Sequence, residues 1–217
     1  MRAWEFRRMA AAFFLPNRCP FCDELIGVRE FWCETCYEHL QFLDDPGETP
    51  AGVDGFTAVC AYNTRARSAV LRLKKGNYRY PADAFAVLIA ENAAELIQHA
   101  DIITGVPSSR ERRKQLGYAQ SELIAGMVAE IARKPFRRLL GAVPGKKEQK
   151  HLTAEERLEN ASNSFRLAEN AEIKGKKILL IDDVCTTGAT FSVCAELLRG
   201  AGAINVSAAS FARTLKR

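Results

Sequence analysis

The residues with the clearest chemical potential lie near the carboxyl end of the chain, in the stretch KKILLIDDVCTTGATF. Two adjacent acids, Asp182 and Asp183, directly follow four large apolar residues at 178–181. A strand that is apolar on both faces predicts a central strand of a parallel sheet, and ligands of such sheets bind beyond the carboxyl ends of the strands. Carboxylates there would accept hydrogen bonds from adjacent sugar hydroxyls, directly or through a divalent cation. Both aspartates are therefore candidate catalytic residues.

The loop after the acids has the composition of a phosphate-binding turn. Its members are Thr186, Thr187, Gly188, Ala189 and Thr190. The free N–H groups at a helix start, three hydroxyls and a glycine that allows close backbone approach would bind one phosphate. Neither a G-x-x-x-x-G-K-[ST] loop nor a G-x-G-x-x-G fingerprint occurs, which excludes those two nucleotide-binding classes. The structural alternative is a turn that only caps a helix, and the double acid disfavours it.

A second candidate site consists of four cysteines spaced C-x2-C-x10-C-x2-C, namely Cys19, Cys22, Cys33 and Cys36. Each C-x2-C pair sets two sulfurs on one tight turn, so the spacing predicts a structural zinc ion closed by four thiolates. Disulfides or redox-active thiols are the alternatives. The odd total of seven cysteines and the lack of a βαβ pattern around either pair disfavour them. His39 follows closely, but four cysteines already complete the set of ligands.

Composition limits the class of protein. The chain has 217 residues, of which 47% are hydrophobic and 26% charged, and this excludes wholesale disorder. Its net charge of +5 is local, because residues 133–150 contain seven basic residues and one acidic residue. Such a stretch suits nucleic acid or a polyphosphate, or it is a solvated face. The apolar run at 9–15 is too short to span a membrane and no signal cleavage site follows it, so we expect a cytoplasmic protein.

The order of elements predicts how these residues are positioned. Residues 44–55, rich in proline, glycine and acids, indicate a boundary between a zinc-ribbon head at 1–45 and a body at 53–217. Strands are predicted at 56–62, 101–106, 138–143, 177–184 and 205–211. Helices are predicted at 66–73, 81–99, 118–132 and 190–199, with another starting at Thr153. This alternation indicates an α/β fold, a parallel sheet with helices on both faces.

The segment ILLIDDVCTTGAT resembles the phosphoribosyl-pyrophosphate (PRPP) motif of type I phosphoribosyltransferases. The resemblance implies that residues 186–190 hold the 5′-phosphate and that Asp182 and Asp183 face the ribose. It also implies Mg²⁺, which accompanies the pyrophosphate in that family. Cys185 lies between the acids and the loop, and it is either a thiol that lines the pocket or one that packs away from it.

Over residues 15–213 the chain is similar to the ComF family, competence-associated phosphoribosyltransferase-like proteins with a zinc-binding head. Three further segments carry this similarity: 71–76 around Lys74, 106–120, and 149–165. It implies a type I phosphoribosyltransferase-like fold, Zn²⁺ and Mg²⁺, a role in DNA uptake, and further PRPP-binding residues, which are Lys74, Pro107, Ser108, Arg110 and Arg112. The chain departs from the family pattern at Leu116, Tyr118 and Ala119, where the family has arginine, phenylalanine and asparagine.

Three hypotheses for function follow. The first is a PRPP binder or pentosyl transferase. The second is a single-stranded-DNA module, in which the basic stretch grips phosphates and aromatic residues of the head stack on bases; these aromatics are Phe31, Trp32, Tyr37 and Phe42. Packing around the zinc is the alternative role of those rings. The third is a non-catalytic scaffold, which the intact DDVCTTGAT segment disfavours.

Overall fold

The computed structural model describes residues 9–10, 16–75, 80–108, 113, 117–143 and 164–215. Arg110, Arg112, Leu116 and the helix predicted from Thr153 lie outside these residues. The strands are β1 (Phe56–Ala61), β2 (Ile102–Gly105), β3 (Leu140–Ala142), β4 (Phe165–Leu167), β5 (Lys177–Cys185) and β6 (Asn205–Arg213). Four of them form a parallel sheet in the order β1-β6-β5-β2, and β3 pairs with β4 in an antiparallel ribbon.

Helices cover both faces of the sheet, as the sequence predicts. They are α1 (Glu34–Glu38), α2 (Thr64–Leu73), α3 (Pro81–Asn92), α4 (Ala94–His99), α5 (Gln120–Ala132) and α6 (Ala189–Gly200). Successive side chains of β5 enter opposite cores: Ile178 and Leu180 pack with α6, whereas Leu179 and Ile181 pack with α3 and α5. The single helix predicted over 81–99 is two helices, because Ala93 leaves helical geometry at φ −106° and ψ 24°.

The cysteine-rich head shares a core with the body. Phe21, inside the first C-x2-C turn, is 5% exposed and its ring centroid lies 6.2 Å from that of Phe211. Phe211 in turn stacks on Phe85 of α3 at 3.7 Å. A segment of about 40 residues cannot bury enough surface to fold by itself, and this shared core supplies part of what it lacks.

Residues 44–55 are held against the body. The Arg213 guanidinium donates hydrogen bonds to the carbonyls of Pro46 and Glu48, and its cation lies 4.9 Å from the Phe56 ring centroid. Asp54 forms an ion pair with Arg199 of α6. Within the described ranges, none of the helices has the length and apolar character needed to cross a bilayer.

Gly105, the last residue of β2, allows α5 to approach the sheet. A Cβ atom at this position would lie 2.6 Å from the backbone nitrogen of Glu122 and 2.7 Å from its Cα. Only glycine fits such an approach between two backbones. The start of α5 is thereby held at the carboxyl edge of the sheet.

The change Gly105→Ala tests this contact. We expect the free energy of unfolding to fall by ~1–3 kcal/mol or more, because the strand and the helix backbone must separate. The matched control is Gly126→Ala in the middle of α5, where a Cβ meets nothing within 4 Å and stability should rise by ~1 kcal/mol. Urea denaturation measures both effects, and similar changes in the two variants would contradict the close approach.

Candidate functional site

Both predicted aspartates lie where β5 extends past its neighbour. β2 ends with Gly105 opposite Ile181, so Asp182 and Asp183 have no strand partner on that side. On the other side the pairing continues, with Asp182 opposite Ser210 of β6. One side of the strand end is thus paired and the other extends past its neighbour. Ligands of parallel α/β sheets bind beyond the carboxyl ends of the strands.

Asp182 is held by hydrogen bonds from two sources. Ser121, in the first turn of α5, donates its hydroxyl to Asp182 Oδ1, and the backbone N–H of Asp183 donates to the same atom at 2.8 Å. Burial, together with the neighbouring Asp183 charge, raises the pKa of Asp182 to about 7, against the lowering effect of the Ser121 bond. This carboxyl therefore changes charge near neutral pH.

Asp183 is paired with Lys74. The Lys74 Nζ lies 2.8 Å from Asp183 Oδ2, and the acid side chain is 9% exposed. Lys74 directly follows α2, and the carbonyl of Leu73 accepts a hydrogen bond from the Tyr118 hydroxyl at 2.7 Å. The lysine implied by the family resemblance thus reaches the two acids, and Tyr118 fixes the backbone from which it extends.

The predicted phosphate loop, residues 186–190, follows these acids and leads into α6. Gly188 has φ +82°, a left-handed backbone conformation that residues other than glycine rarely adopt. A Cβ there would lie 3.0 Å from the Pro50 ring. Thr186 and Thr187 are exposed, and Thr190 is half-buried. Cys185 is 2% exposed, and burial raises the pKa of its thiol to about 11. This position fits a packed cysteine better than a reactive one.

The loop after β2 meets the start of α5. Pro107 is buried and Ser108 is half-buried, and the Ser108 hydroxyl donates to Gln120 Oε1 at 3.3 Å. Gln120 is 3% exposed, yet its Nε2 has no hydrogen-bond partner among the residues that the structure describes. A buried amide donor without an acceptor costs free energy, and an oxygen of a bound ligand would satisfy it.

Sequence reasoning missed the contribution of α5 to the site. Ser121 was not a candidate, although it touches Asp182. Glu122 is 7% exposed and binds both Arg113 and Arg138, so a buried acid holds two basic side chains next to the sheet edge. The usable signal was the polar run QSE at the start of a predicted helix. Such a run has no reason to be buried unless it faces a site.

The four cysteines lie together. Their Sγ atoms are all within 4.8 Å of one another, and those of Cys22 and Cys33 are 3.7 Å apart. Four sulfurs at ~2.3 Å from one zinc ion would have edges of ~3.8 Å, so the cluster fits a tetrahedral metal. Burial acts to raise the pKa of Cys19, but backbone hydrogen bonds from Cys33, Cys22 and Phe21 lower it.

Two neighbours of this cluster have distinct roles. An Arg65 guanidinium nitrogen lies 3.2 Å from Cys36 Sγ and supplies positive charge to the thiolates. His39 is not a member of the group, since its Nδ1 contacts the Thr35 carbonyl at 2.8 Å. Among the described residues, the four cysteines form the one group that could hold a metal ion.

Comparisons with known proteins match this arrangement. The model of the phosphoribosyl transferase domain family matches residues 140–217. The DNA utilization protein YhgH of Salmonella typhimurium is 33% identical over 130 residues, which are 59% of this chain and 56% of that protein. Competence protein F of Haemophilus influenzae is 30% identical over 115 residues, 52% of this chain and 50% of that protein.

The chain thus spans about half the length of the curated relatives it matches. The crystal structure of orotate phosphoribosyltransferase from Aeropyrum pernix covers 61% of this chain and 58% of its own, at 20% identity and a TM-score of 0.39.

The two acids should respond differently to removal of their charge. In Asp182→Asn, the amide oxygen still accepts both hydrogen bonds, but the buried charge is gone. The pKa of Asp182 is higher in the folded state (about 7) than in the unfolded chain (~3.9). Asp182 therefore stabilises the wild type fully only below pH ~4, and this contribution is lost as the pH rises towards 7. Relative to wild type, the variant should gain about 2 kcal/mol or more between pH 4.5 and 8.

Asp183→Asn should instead lower stability at pH 8 by about 1–2 kcal/mol, because it leaves the Lys74 ammonium without its partner. Thermal melts of both variants and wild type across this pH range measure the effects. A difference between Asp182→Asn and wild type that stays constant with pH would contradict the raised pKa.

Proposed function

We propose that the chain is a phosphoribosyltransferase-like protein of the ComF family and that it binds PRPP at the carboxyl edge of its sheet. The observation that supports this most strongly is that polar groups from three segments lie at the overhanging end of β5 and at the end of the neighbouring β2. Lys74 and Ser121 contact the two acids, and Ser108 and Gln120 lie at the end of the neighbouring strand. These groups suit a ligand with an anion at each end and hydroxyls between.

Each part of PRPP has a complementary group. The phosphate loop, with Thr186, Thr187, Gly188, Ala189 and Thr190, would hold the 5′-phosphate at the start of α6. Asp182 and Asp183 would accept hydrogen bonds from the ribose hydroxyls. Pro107, Ser108 and the free Gln120 amide would face the pyrophosphate, with Arg110 and Arg112 as the proposed countercharge. Bound Mg²⁺ would neutralise part of the pyrophosphate charge.

The reaction class that follows is pentosyl transfer. The bond between ribose C1 and the pyrophosphate oxygen breaks, the oxygen keeps the electron pair, and an acceptor nucleophile bonds to C1. Positive groups that stabilise the departing pyrophosphate lower the barrier of this step. Lys74, whose side chain is 25% exposed and whose ammonium contacts Asp183, is the described cation best placed to interact with the bound ligand.

The biological setting that we propose is DNA uptake or utilization. Two relatives bear names of this kind, the DNA utilization protein YhgH and competence protein F. All seven cysteines are free, which suits a reducing compartment such as the cytoplasm.

We propose a structural zinc ion at Cys19, Cys22, Cys33 and Cys36. Four thiolates leave no ligand position for water or substrate, and metal binding would supply folding free energy to the small head. The cluster's edge of 3.7 Å supports this ion.

A second candidate function, binding of single-stranded DNA, is favoured by a row of aromatic rings in the head. Trp32 and Tyr37 are stacked at 5.1 Å and 11°, and Phe42 meets Tyr37 edge-on at 5.2 Å. Tyr37 and Phe42 are 36% and 37% exposed. Exposed rings offer stacking platforms for unpaired bases, and the exposed Arg137 and Arg138 could contact phosphates in a salt-dependent manner.

Metal analysis tests the zinc site. We expect the purified protein to contain about one zinc ion per chain and Cys33→Ser to lose most of it, because three thiolates leave the tetrahedron open. His39→Ala is the matched control and should keep its metal. Metal-free protein with the four cysteines joined in disulfides would contradict the proposal.

Calorimetric titration with PRPP and Mg²⁺ tests the ligand. Wild type should bind, whereas Asp182→Asn/Asp183→Asn should lose at least ~10-fold in affinity, because the strong acceptors for the hydroxyls are gone. Glu91→Gln, an exposed change on α3, should bind as wild type does.

A double variant that binds PRPP normally would refute the ribose assignment. The same titration with a single-stranded oligonucleotide, with Tyr37→Ala as the variant, separates the second candidate from the first. Binding of DNA without any binding of PRPP would favour the second.

A further inference from the structure

Helix α2 connects the four-cysteine cluster to the two acids. The helix is fixed at its start by Asn63, whose side chain accepts hydrogen bonds from the N–H groups of Arg65 and Ala66 at 3.1 Å. Along its length, Ala66, Ala69, Val70 and Leu73 are fully buried against the body. Such a short, capped and packed helix moves as one unit.

At the head, two arginines of α2 hold the cysteine turns. Arg72 donates two hydrogen bonds from one guanidinium nitrogen, to the carbonyls of Pro20 at 2.8 Å and Phe21 at 2.7 Å. Both carbonyls belong to the turn between Cys19 and Cys22. Arg65, seven residues earlier on the helix, contacts Cys36 Sγ of the other turn. One helix therefore contacts both cysteine turns of the cluster.

At the opposite end, α2 delivers Lys74 to the acids. Residues two positions apart on a helix point in nearly opposite directions, so Arg72 faces the cysteine turn while Lys74 reaches Asp183 at 2.8 Å. The Tyr118 hydroxyl holds the intervening Leu73 carbonyl. Arg72 and Lys74, which make these two contacts, are only two positions apart. A displacement of the first cysteine turn would therefore also move the Lys74 ammonium at the proposed ligand site.

We propose that the cysteine cluster and the acid site are energetically coupled through α2, with Arg72 as a positioning residue for Lys74. Metal at the four cysteines keeps the Pro20 and Phe21 carbonyls aligned to accept both bonds from Arg72. Metal and phosphoribosyl ligand then strengthen each other's binding, because coupling between two sites is reciprocal. This inference rests on the proposed PRPP and zinc sites.

The rate at which a chromogenic chelator removes zinc from the full-length protein tests the coupling. In wild type, saturating PRPP with excess Mg²⁺ should slow zinc release by about 5-fold or more. In Arg72→Met, which keeps an unbranched side chain but has no donor, PRPP should leave the release rate unchanged, and the Kd for PRPP should rise about 5-fold or more. Arg72→Lys keeps one donor group and should retain part of the effect.

Two control variants and one criterion separate coupling from general loosening. Arg67→Met, an exposed change on the same helix, should behave as wild type does. A variant that is merely less stable would release zinc faster at all times but would keep the fold-change caused by PRPP. Asp182→Asn/Asp183→Asn, which should not bind PRPP, corrects for chelation of zinc by PRPP itself.

The outcomes are distinguishable. Wild type that binds PRPP by calorimetry without any change in zinc release overturns the coupling and leaves the proposed function standing. An equal effect of PRPP in wild type and in Arg72→Met overturns the role of Arg72, and if Arg72→Met does not fold, an undiminished effect in Arg72→Lys together with an unchanged Kd does so. Wild type that binds no PRPP overturns the proposed function and this inference with it.

Discussion

Two adjacent carboxylates at the overhanging end of a buried strand are the constraint on which the rest of the site depends. Burial and the neighbouring Asp183 charge both oppose ionisation of Asp182. The two acids have different partners: Ser121 and a backbone N–H donate hydrogen bonds to Asp182, and Lys74 forms an ion pair with Asp183. Because these partners come from α5 and from the end of α2, both helices must dock at the same edge of the sheet. The need to provide partners for two adjacent carboxylates therefore constrains where both helices dock.

That docking depends on contacts outside the site. The start of α5 can reach the acids only because Gly105 has no side chain between strand and helix, and Tyr118 joins the segment before α5 to the end of α2. The head contributes on the far side of α2, where Arg72 binds the first cysteine turn. The head is therefore not an independent appendage. It shares a core with the body through Phe21, and it borders the helix that carries Lys74.

The sequence predicts those features of the fold and the site that a local pattern of residues determines. The apolar run 178–181, the acids after it and the paired cysteines have spacings that almost any tertiary context would have to respect, and the sheet, its helices and the clustering of the four cysteines were predicted from them. Contacts between distant segments left no local pattern. Ser121 is separated from Asp182 by 61 residues, and Arg213 from Pro46 by 167. Residues 44–55 look like a free linker by composition, yet Arg213 and Arg199 hold them against the body.

The departures from the family pattern acquire a physical meaning in this setting. Tyr118 stands where the family has phenylalanine, and its additional hydroxyl donates a hydrogen bond to the buried Leu73 carbonyl at the end of α2. A carbonyl at the end of a helix otherwise needs water or another capping group. The Tyr118 hydroxyl therefore fixes the end of α2, from which Lys74 extends. Ala119 stands where the family has asparagine, and it gives the start of α5 no side-chain cap. The first N–H groups of α5 therefore need acceptors other than a capping side chain, and the Gln120 amide beside them has no partner among the described residues. Both changes therefore act on the two helix ends that meet the acids, one by adding a bond within the protein and the other by leaving donors available to a ligand.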